Sequence, residues 1–171
     1  MSELAGKGCE IIVPFDERQP LKDIERSIIK KYRKHLWSKF IKAIRDYNLV
    51  EEGDKIAVAI SGGKDSILMA KLFQELQRHS QIKFEVVFLA MDPGYHPDIK
   101  KLLIENCEYL NIPIHMYDSG IFDVVDKMAK DYPCYLCARM RRGSLYAKAQ
   151  EFGCNKLALG HHYNDVIETT M

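Results

Sequence analysis

Lys55-Ile56-Ala57-Val58-Ala59-Ile60-Ser61-Gly62-Gly63-Lys64-Asp65-Ser66-Ile67-Leu68-Met69-Ala70-Lys71-Leu72-Phe73 decides the fold. Its first six residues form a short apolar, β-branched run, which reads as a buried strand. From Ile67 to Phe73 the run reads as the start of a helix. Two glycines at a strand-to-helix turn let the backbone approach a bound anion closely, and the unpaired N–H groups of the first helical turn point at the same spot. Ser61, Lys64 and Ser66 add two hydroxyls and a cation. The stretch therefore reads as a phosphate or pyrophosphate cradle, and the plainer reading is a glycine-rich turn that caps a helix.

The loop lacks the four-residue spacer of a Walker A loop and is not a GxGxxG dinucleotide fingerprint. It resembles the SGGxDS loop of the PP-loop ATP pyrophosphatases, a family that cleaves ATP between its α and β phosphates, adenylates a carbonyl oxygen and releases pyrophosphate.

Composition bounds the class. A chain of 171 residues, 47% hydrophobic and 29% charged, fits one globular domain with one sizeable core. It has no apolar run of about 18 residues and no apolar signal core at its N-terminus, so a cytoplasmic protein with no membrane partner is expected. Five cysteines in such a chain argue for metal, cluster or redox use rather than a disulfide framework. There is no internal repeat. The net charge of +1 is uninformative, but its distribution is not.

From Pro20 to about Tyr47, Ile24, Ile28, Trp37, Phe40, Ile41 and Ile44 recur near a helical period, with room for a break in the middle. The other faces carry Lys22, Arg26, Lys30, Lys31, Arg33, Lys34, Lys39, Lys42 and Arg45, opposed before Asp46 by Asp23 and Glu25. A solvated helix face and a phosphate-backbone contact surface both fit this pattern. Residues 1–50 are thus expected to form an N-terminal tail, with a short strand at 10–13, and a basic helical region; residues 51–171 form the α/β domain. Further strands are expected at 84–90, 112–117 and 156–160, and helices at 97–110, 122–130 and 139–152, with a cysteine loop before the last. Strands alternating with helices predict a parallel sheet with helices on both faces, of Rossmann type. Ligands of such sheets bind beyond the carboxyl ends of the strands, where the Ser61 loop, Met91-Asp92, Ser119 and Gly160-His161 all fall.

Two further motifs carry chemistry. Pro133-Cys134-Tyr135-Leu136-Cys137-Ala138-Arg139-Met140-Arg141-Arg142-Gly143 sets two cysteines three apart at a helix start, where the helix N-terminus and three arginines lower thiol pKa values. Thiolates suit a metal, an iron–sulfur cluster or sulfur transfer; half of a zinc site, a redox pair and structural thiols are the competing readings. Arg141 and Arg142 are either surface charges or contacts to ATP phosphates or RNA. Gly160-His161-His162-Tyr163-Asn164-Asp165-Val166-Ile167-Glu168-Thr169 puts Asp165 at a helix start, as a helix-terminal carboxylate or as a magnesium ligand or proton acceptor beside ATP.

Together, SGGKDS, CYLCARMRRG and GHHYNDVIET resemble the tRNA 2-thiocytidine synthetases, a branch of the PP-loop superfamily with an adenine nucleotide alpha hydrolase-like fold, from about Tyr32 to Met171. The resemblance implies ATP and Mg2+ as cofactors, tRNA as partner and adenylation of a cytidine C2 oxygen in the anticodon loop, followed by its replacement with sulfur. It implies that Cys134 and Cys137 are two of three cysteine ligands of a [4Fe-4S] cluster and that Arg141 and Asp165 are catalytic. The expected ATP-binding set is Ala59, Ser61, Gly62, Gly63, Lys64, Asp65, Ser66, Met91, Gly160 and His161. The expected RNA contacts are Lys30, Lys31, Arg33, Lys34 and Arg142. The sulfur donor is left open between a cysteine desulfurase and sulfide, and the oligomeric state between a monomer and a homodimer.

The chain departs from the family in two places. It has Asn164-Asp165 where two adjacent acids are usual. The family's third cluster cysteine lies downstream of the last motif, and Cys107 and Cys154 read as structural, so that ligand is expected outside this chain. Lysidine synthetases share the SGGxDS loop but not the CxxC with its arginine-rich helix. A thiolase or ligase for another acceptor, a non-catalytic adenine-nucleotide-binding module and, more remotely, a zinc-ribbon RNA-binding protein remain as alternatives. Residues 1–171 alone are expected to retain neither cluster nor activity; stoichiometric iron and sulfide after anaerobic purification would overturn this.

Overall fold

The hydrophobic run at 55–60 forms β1 (Lys55–Ile60), and its alternation explains the layers around it. Ile56, Val58 and Ile60 point to one face of the sheet and Ala57 to the other, and all four are buried. A strand with apolar residues on both faces must lie inside a sheet covered on both sides. The structure is a computed structural model that describes residues 15–119 and 133–161, with 15 and 133–138 as backbone alone. It shows four parallel strands in the order β3-β2-β1-β4, where β2 is Glu85–Asp92, β3 Ile114–Asp118 and β4 Lys156–Ala158.

Helices α3 (Lys64–His79) and α4 (Pro97–Tyr109) connect β1 to β2 and β2 to β3, and both pack on the Ile56 face. There Phe73 and Leu76 of α3 and Leu103 and Cys107 of α4 meet Ile56, Val58, Ile60 and Phe88. The chain then returns to the far side of β1. A crossover that reverses direction while keeping its hand must change faces. Accordingly α5 (Pro133–Glu151) packs on the opposite face, where Leu145 and Ala149 meet Ala57 and Leu89.

Differences from the sequence-based boundaries have local causes. β2 runs two residues further, through Met91 and Asp92, because both pair with Tyr117 and Asp118 of β3. Pro113 lies outside β3, as a residue without an N–H should. Leu159 and Gly160 fall beyond the short β4. The cysteine stretch expected as a loop is helical where it is described: α5 already includes Pro133, so Cys134 and Cys137 lie on that helix. The strand expected at 10–13 and the helix at 122–130 lie outside the described residues.

The basic N-terminal region is helical in three pieces: α1 (Leu21–Ile29), a π-helical turn (Arg33–Trp37) and α2 (Ser38–Asp46). Ile44 enters the main core, and Trp37, Phe40 and Ile41 pack against it. Glu25 of α1 turns inward and pairs with Lys71 at 2.7 Å and Arg78 at 2.8 Å, both on α3. The Lys71 ammonium is 2% exposed and also donates to Gln74 Oε1 and to the Leu110 carbonyl. Burial alone would raise the Glu25 carboxyl, but the bonds from Arg78 and Lys71 outweigh it and hold it below its ordinary range.

At the amino ends of the strands, buried Asp54 fastens β1 to β4. It accepts from the Glu51 N–H at 2.7 Å and Asn155 Nδ2 at 2.7 Å and pairs with Lys156 Nζ at 2.6 Å. The hydrogen bond from Lys156 is the largest cause of a carboxyl pKa lowered from 3.8 to about 2, against the opposing effect of burial. A depressed carboxyl stabilises the fold above its unfolded pKa and loses that contribution as pH falls through the folded value. Asp54→Asn should therefore cost on the order of 2 kcal/mol at pH 7. Urea midpoints measured at several pH values should show the gap from the parent chain closing between about pH 4 and pH 2. A pH-independent gap would mean that Asp54 acts through shape rather than charge.

Candidate functional site

Because β2 lies on one side of β1 and β4 on the other, the strand order reverses between β1 and β4, and a crevice opens at their carboxyl ends. A cavity of about 290 Å³ occupies that position. Ala59, Ile60, Ser61 and Ser66 line it from β1 and the following loop, Met91 and Tyr95 from the end of β2, Leu159, Gly160 and His161 from the end of β4, and Arg141, Arg142 and Leu145 from α5.

The Ser61 loop organises itself. The Ser61 N–H and hydroxyl both donate to Ser66 Oγ at 3.2 Å, Ser66 Oγ donates to the Gly63 carbonyl at 2.9 Å, and the Gly63 N–H reaches Ser61 Oγ at 3.4 Å. Gly62 has φ +85°, which glycine adopts without strain. The residue capping α3 is Gly63, so no side chain bonds the first N–H groups of the helix. That leaves a helix N-terminus, with its partial positive charge, open to an anion.

Gly160 is the closest approach in the site. A Cβ placed there would lie 3.1 Å from the Ser66 nitrogen and 3.2 Å from the Ser66 Cα. Any side chain at this position would press on the first turn of α3, so glycine is what allows the ends of β4 and β1 to share one crevice.

Of the residues singled out for ATP, Ala59, Ser61, Ser66, Met91, Gly160 and His161 line the cavity. Gly62 and Gly63 shape the turn beneath it. The Lys64 side chain is 89% exposed and lies 3.5 Å from Asp65, and neither residue lines the cavity. Arg141 and Arg142 enter the cavity together, although Arg142 was expected to serve RNA. Cys134 and Cys137 are fixed by the backbone of α5, with Arg141 one turn beyond Cys137. Asp165 lies outside the described residues. Lys30, Lys31, Arg33 and Lys34 are all exposed, away from the cavity.

Tyr95, Ile60, Leu145 and Leu159 are wall residues that sequence reasoning did not find. Tyr95 is held by Asp92, which accepts its N–H at 2.8 Å and that of Gly94 at 2.9 Å and pairs with Lys100 at 2.8 Å. The Lys100 bond first, then the Tyr95 and Gly94 N–H groups, hold the Asp92 carboxyl below its ordinary range despite burial. The Asp92-Pro93-Gly94 turn signature was the available signal for this anchor.

Among the described residues, no group of three or more His, Cys, Asp or Glu is arranged to hold a metal ion. Cys107 is a core residue, 1% exposed, with its thiol pushed up to about 11 by burial. Cys154 is half-buried, and burial raises its pKa as well. Neither has the environment of a reactive thiolate, and both fit the structural role expected of them.

The PP-loop domain family matches residues 32–171. The tRNA-cytidine(32) 2-sulfurtransferase of Citrifermentans bemidjiense is 39% identical over 132 residues, which are 76% of this chain and 52% of that protein. The enzyme of the same name from Vibrio parahaemolyticus is 44% identical over 144 residues, 81% of this chain and 48% of that protein. This chain thus spans about half the length of the curated relatives it matches. Among solved structures, the U34-tRNA thiolase NcsA from Methanococcus maripaludis with its [4Fe-4S] cluster superposes with a TM-score of 0.54 at 24% identity, covering 85% of this chain and 47% of that one, a likeness of fold. With its glycine-lined cradle at the switch point of a parallel sheet and a family match over most of its length, this chain belongs to the PP-loop family.

Proposed function

We propose that this chain carries the ATP-binding part of a tRNA-modifying sulfurtransferase that turns a cytidine of the anticodon loop into 2-thiocytidine. The observation that carries the reading is the convergence on one cavity of the Ser61–Ser66 loop, Gly160, and Arg141 and Arg142 from a helix that opens with Cys134 and Cys137. The relatives named above support the choice of acceptor, since their names specify a tRNA cytidine and transfer of sulfur.

The residues divide the work as follows. The uncapped start of α3 and the Ser61–Ser66 loop take the pyrophosphate end of ATP, with Mg2+ as counter-ion. Ala59, Met91 and Tyr95 form the wall for the nucleoside end. The C2 oxygen of the base attacks the α-phosphorus, and the bond to the β-phosphate oxygen breaks. Negative charge grows on the departing pyrophosphate, where the helix terminus and the guanidinium groups of Arg141 and Arg142 stabilise it. Sulfur at the sulfide level, supplied as sulfide or released from a desulfurase persulfide by two-electron reduction with a thiol, then adds to C2, and AMP leaves with the original oxygen. Asp165 is a magnesium ligand or a proton acceptor in this scheme.

Cys134 and Cys137 have the donor chemistry for an iron–sulfur cluster, two cysteines one turn apart beside arginines, and supply two of the three protein ligands such a cluster with an open iron needs. When bound, the cluster would present sulfur at its open iron. Lys30, Lys31, Arg33 and Lys34 contact the RNA backbone, giving affinity without sequence choice. The setting is cytoplasmic, and the chain acts alone or as a homodimer.

Total tRNA from cells with and without the gene, digested and measured by mass spectrometry, should differ by a selective loss of 2-thiocytidine. Unchanged thionucleosides would move the activity to another acceptor. At the ATP site, Gly160→Ala should weaken ATP binding by tenfold or more, about 1.4 kcal/mol, and should also lower the urea midpoint, since its Cβ presses on the Ser66 backbone, so affinity is read well below that midpoint. Unaltered ATP affinity in that variant would remove the ends of β1 and β4 as the binding crevice.

A further inference from the structure

The π-helical turn Arg33–Trp37 interrupts the basic helical region, and single π-turns are frequent at functional sites. It borders a groove of about 300 Å³ lined by Arg33, Trp37, Ser38, Ile41, Lys42 and Arg45. A second groove of about 290 Å³ shares Trp37, Ile41 and Arg45 and continues along α3 to Leu76 and His79. The indole of Trp37 is half-buried, tilted against Phe40 and edge-on to His79, each with centroids 6.2 Å apart; Phe40 in turn stands on Phe73 of the core. The ring is therefore a braced aromatic platform at the junction of two grooves. Three cations and a hydroxyl surround it. Asp46 is the acid nearest to them, pairing with Lys42 and lying 3.6 Å from Arg45. Arg33 makes no ion pair among the described residues, and Glu25, which would offset the charge, is turned into the pair with Lys71.

An aromatic face ringed by guanidinium and ammonium groups is the chemistry that binds a nucleotide of a single RNA strand, with stacking for the base and cations for the phosphates. We infer that the Trp37 groove is a second RNA site, which seats an unpaired nucleotide of the tRNA with its base on the indole and its flanking phosphates on Arg33 and Arg45. The inference rests on the tRNA reading above for the identity of the RNA. Trp37 touches His79 at the end of α3, and Lys64 begins that helix at the ATP cradle, so the two sites stand at opposite ends of a 16-residue helix. At a rise of 1.5 Å per residue its two ends are about 22 Å apart, a span that a mononucleotide cannot bridge and a tRNA can. The groove would thus select a macromolecular acceptor.

Trp37 is the one tryptophan of the chain, so its fluorescence reads the site directly. The full chain should be titrated with unfractionated tRNA, with a cytidine hexanucleotide, and with polyphosphate and polyglutamate of matched charge. Both RNAs should quench Trp37 saturably, and the two base-free polyanions should not. By filter binding, Trp37→Leu should weaken the hexanucleotide about tenfold and Trp37→Phe should restore most of it, as one stacked base requires. The double variant Arg33→Gln/Arg45→Gln should lower the slope of log affinity against log salt by about 1.5, as loss of two phosphate contacts requires. Binding of tRNA without a change in Trp37 emission, equal quenching by polyphosphate, or an unchanged salt slope would overturn the inference. Equal quenching by polyglutamate would give the surface to an acidic protein partner instead and equally overturn it. Quenching by the hexanucleotide with unchanged cellular thionucleosides would sink the tRNA reading and leave the groove standing. Loss of 2-thiocytidine without the gene, but no quenching, would sink the groove alone.

Discussion

The contact on which the site depends is that of Gly160 with the first turn of α3. A backbone with no side chain lies against the Ser66 nitrogen and Cα, so the end of β4 and the start of α3 form two walls of one crevice. Three independent features of the chain meet there. The order β3-β2-β1-β4 creates the switch point. The glycines of the Ser61 loop free the helix terminus. The change of faces brings α5 across the opposite side of the sheet, so guanidinium groups approach the cradle from the face that α3 does not occupy. An anion in this crevice has a helix terminus on one side and arginines on the other. In such a partly desolvated place each counts for more than it would in open water.

The ion network between α1 and α3 is a second constraint, and it works on the surface as much as in the interior. A buried ammonium such as that of Lys71 is expensive unless all of its hydrogens find acceptors. Here they find Glu25, Gln74 and the Leu110 carbonyl. Arg78 shares Glu25 with Lys71 and also reaches Glu75, which His79 approaches at 3.3 Å. Drawing Glu25 inward removes an acid from α1, so the outer face keeps Lys22, Arg26 and Lys30 exposed with Asp23 as the acid among them. One salt-bridge network thereby fixes the helix and makes its solvent face more positive.

Much of this was legible in the sequence because it rests on local rules. The apolar run into Ser61-Gly62-Gly63-Lys64 gave β1, its turn and α3, and alternation of strand and helix gave the parallel sheet. Four sequence-distant segments could be brought to one end of that sheet because parallel strands all present their carboxyl ends together. What was not legible depended on tertiary partners. Whether β2 stops at Ala90 or runs to Asp92 is decided by pairing with β3, which no local pattern reports. The role of Glu25 was misjudged because its partners lie 46 and 53 positions away, at Lys71 and Arg78. Tyr95 reaches the cavity only through the hydrogen bonds of Asp92. Lys64, read as a phosphate ligand from its place in the loop, has an exposed side chain 3.5 Å from Asp65, a neighbour that the loop pattern alone does not report.

The exposure of Lys64 bears on how the cradle binds. Among the described residues the cavity wall is backbone, hydroxyls, apolar side chains, His161 and arginine, and the exposed Lys64 ammonium would have to be ordered to reach an anion there. In the proposed reaction, backbone donors fixed by the Ser61–Ser66 bonds would need no reorganisation as charge moves from the bridging oxygen to the leaving pyrophosphate, whereas a flexible ammonium would have to be ordered first. The arginines of α5, planar and always charged, suit the spread negative charge of a phosphoryl group on its way out. The same helix opens with the paired cysteines. In the proposed function the phosphate chemistry and the sulfur chemistry are thereby carried by a single helix rather than by a loop.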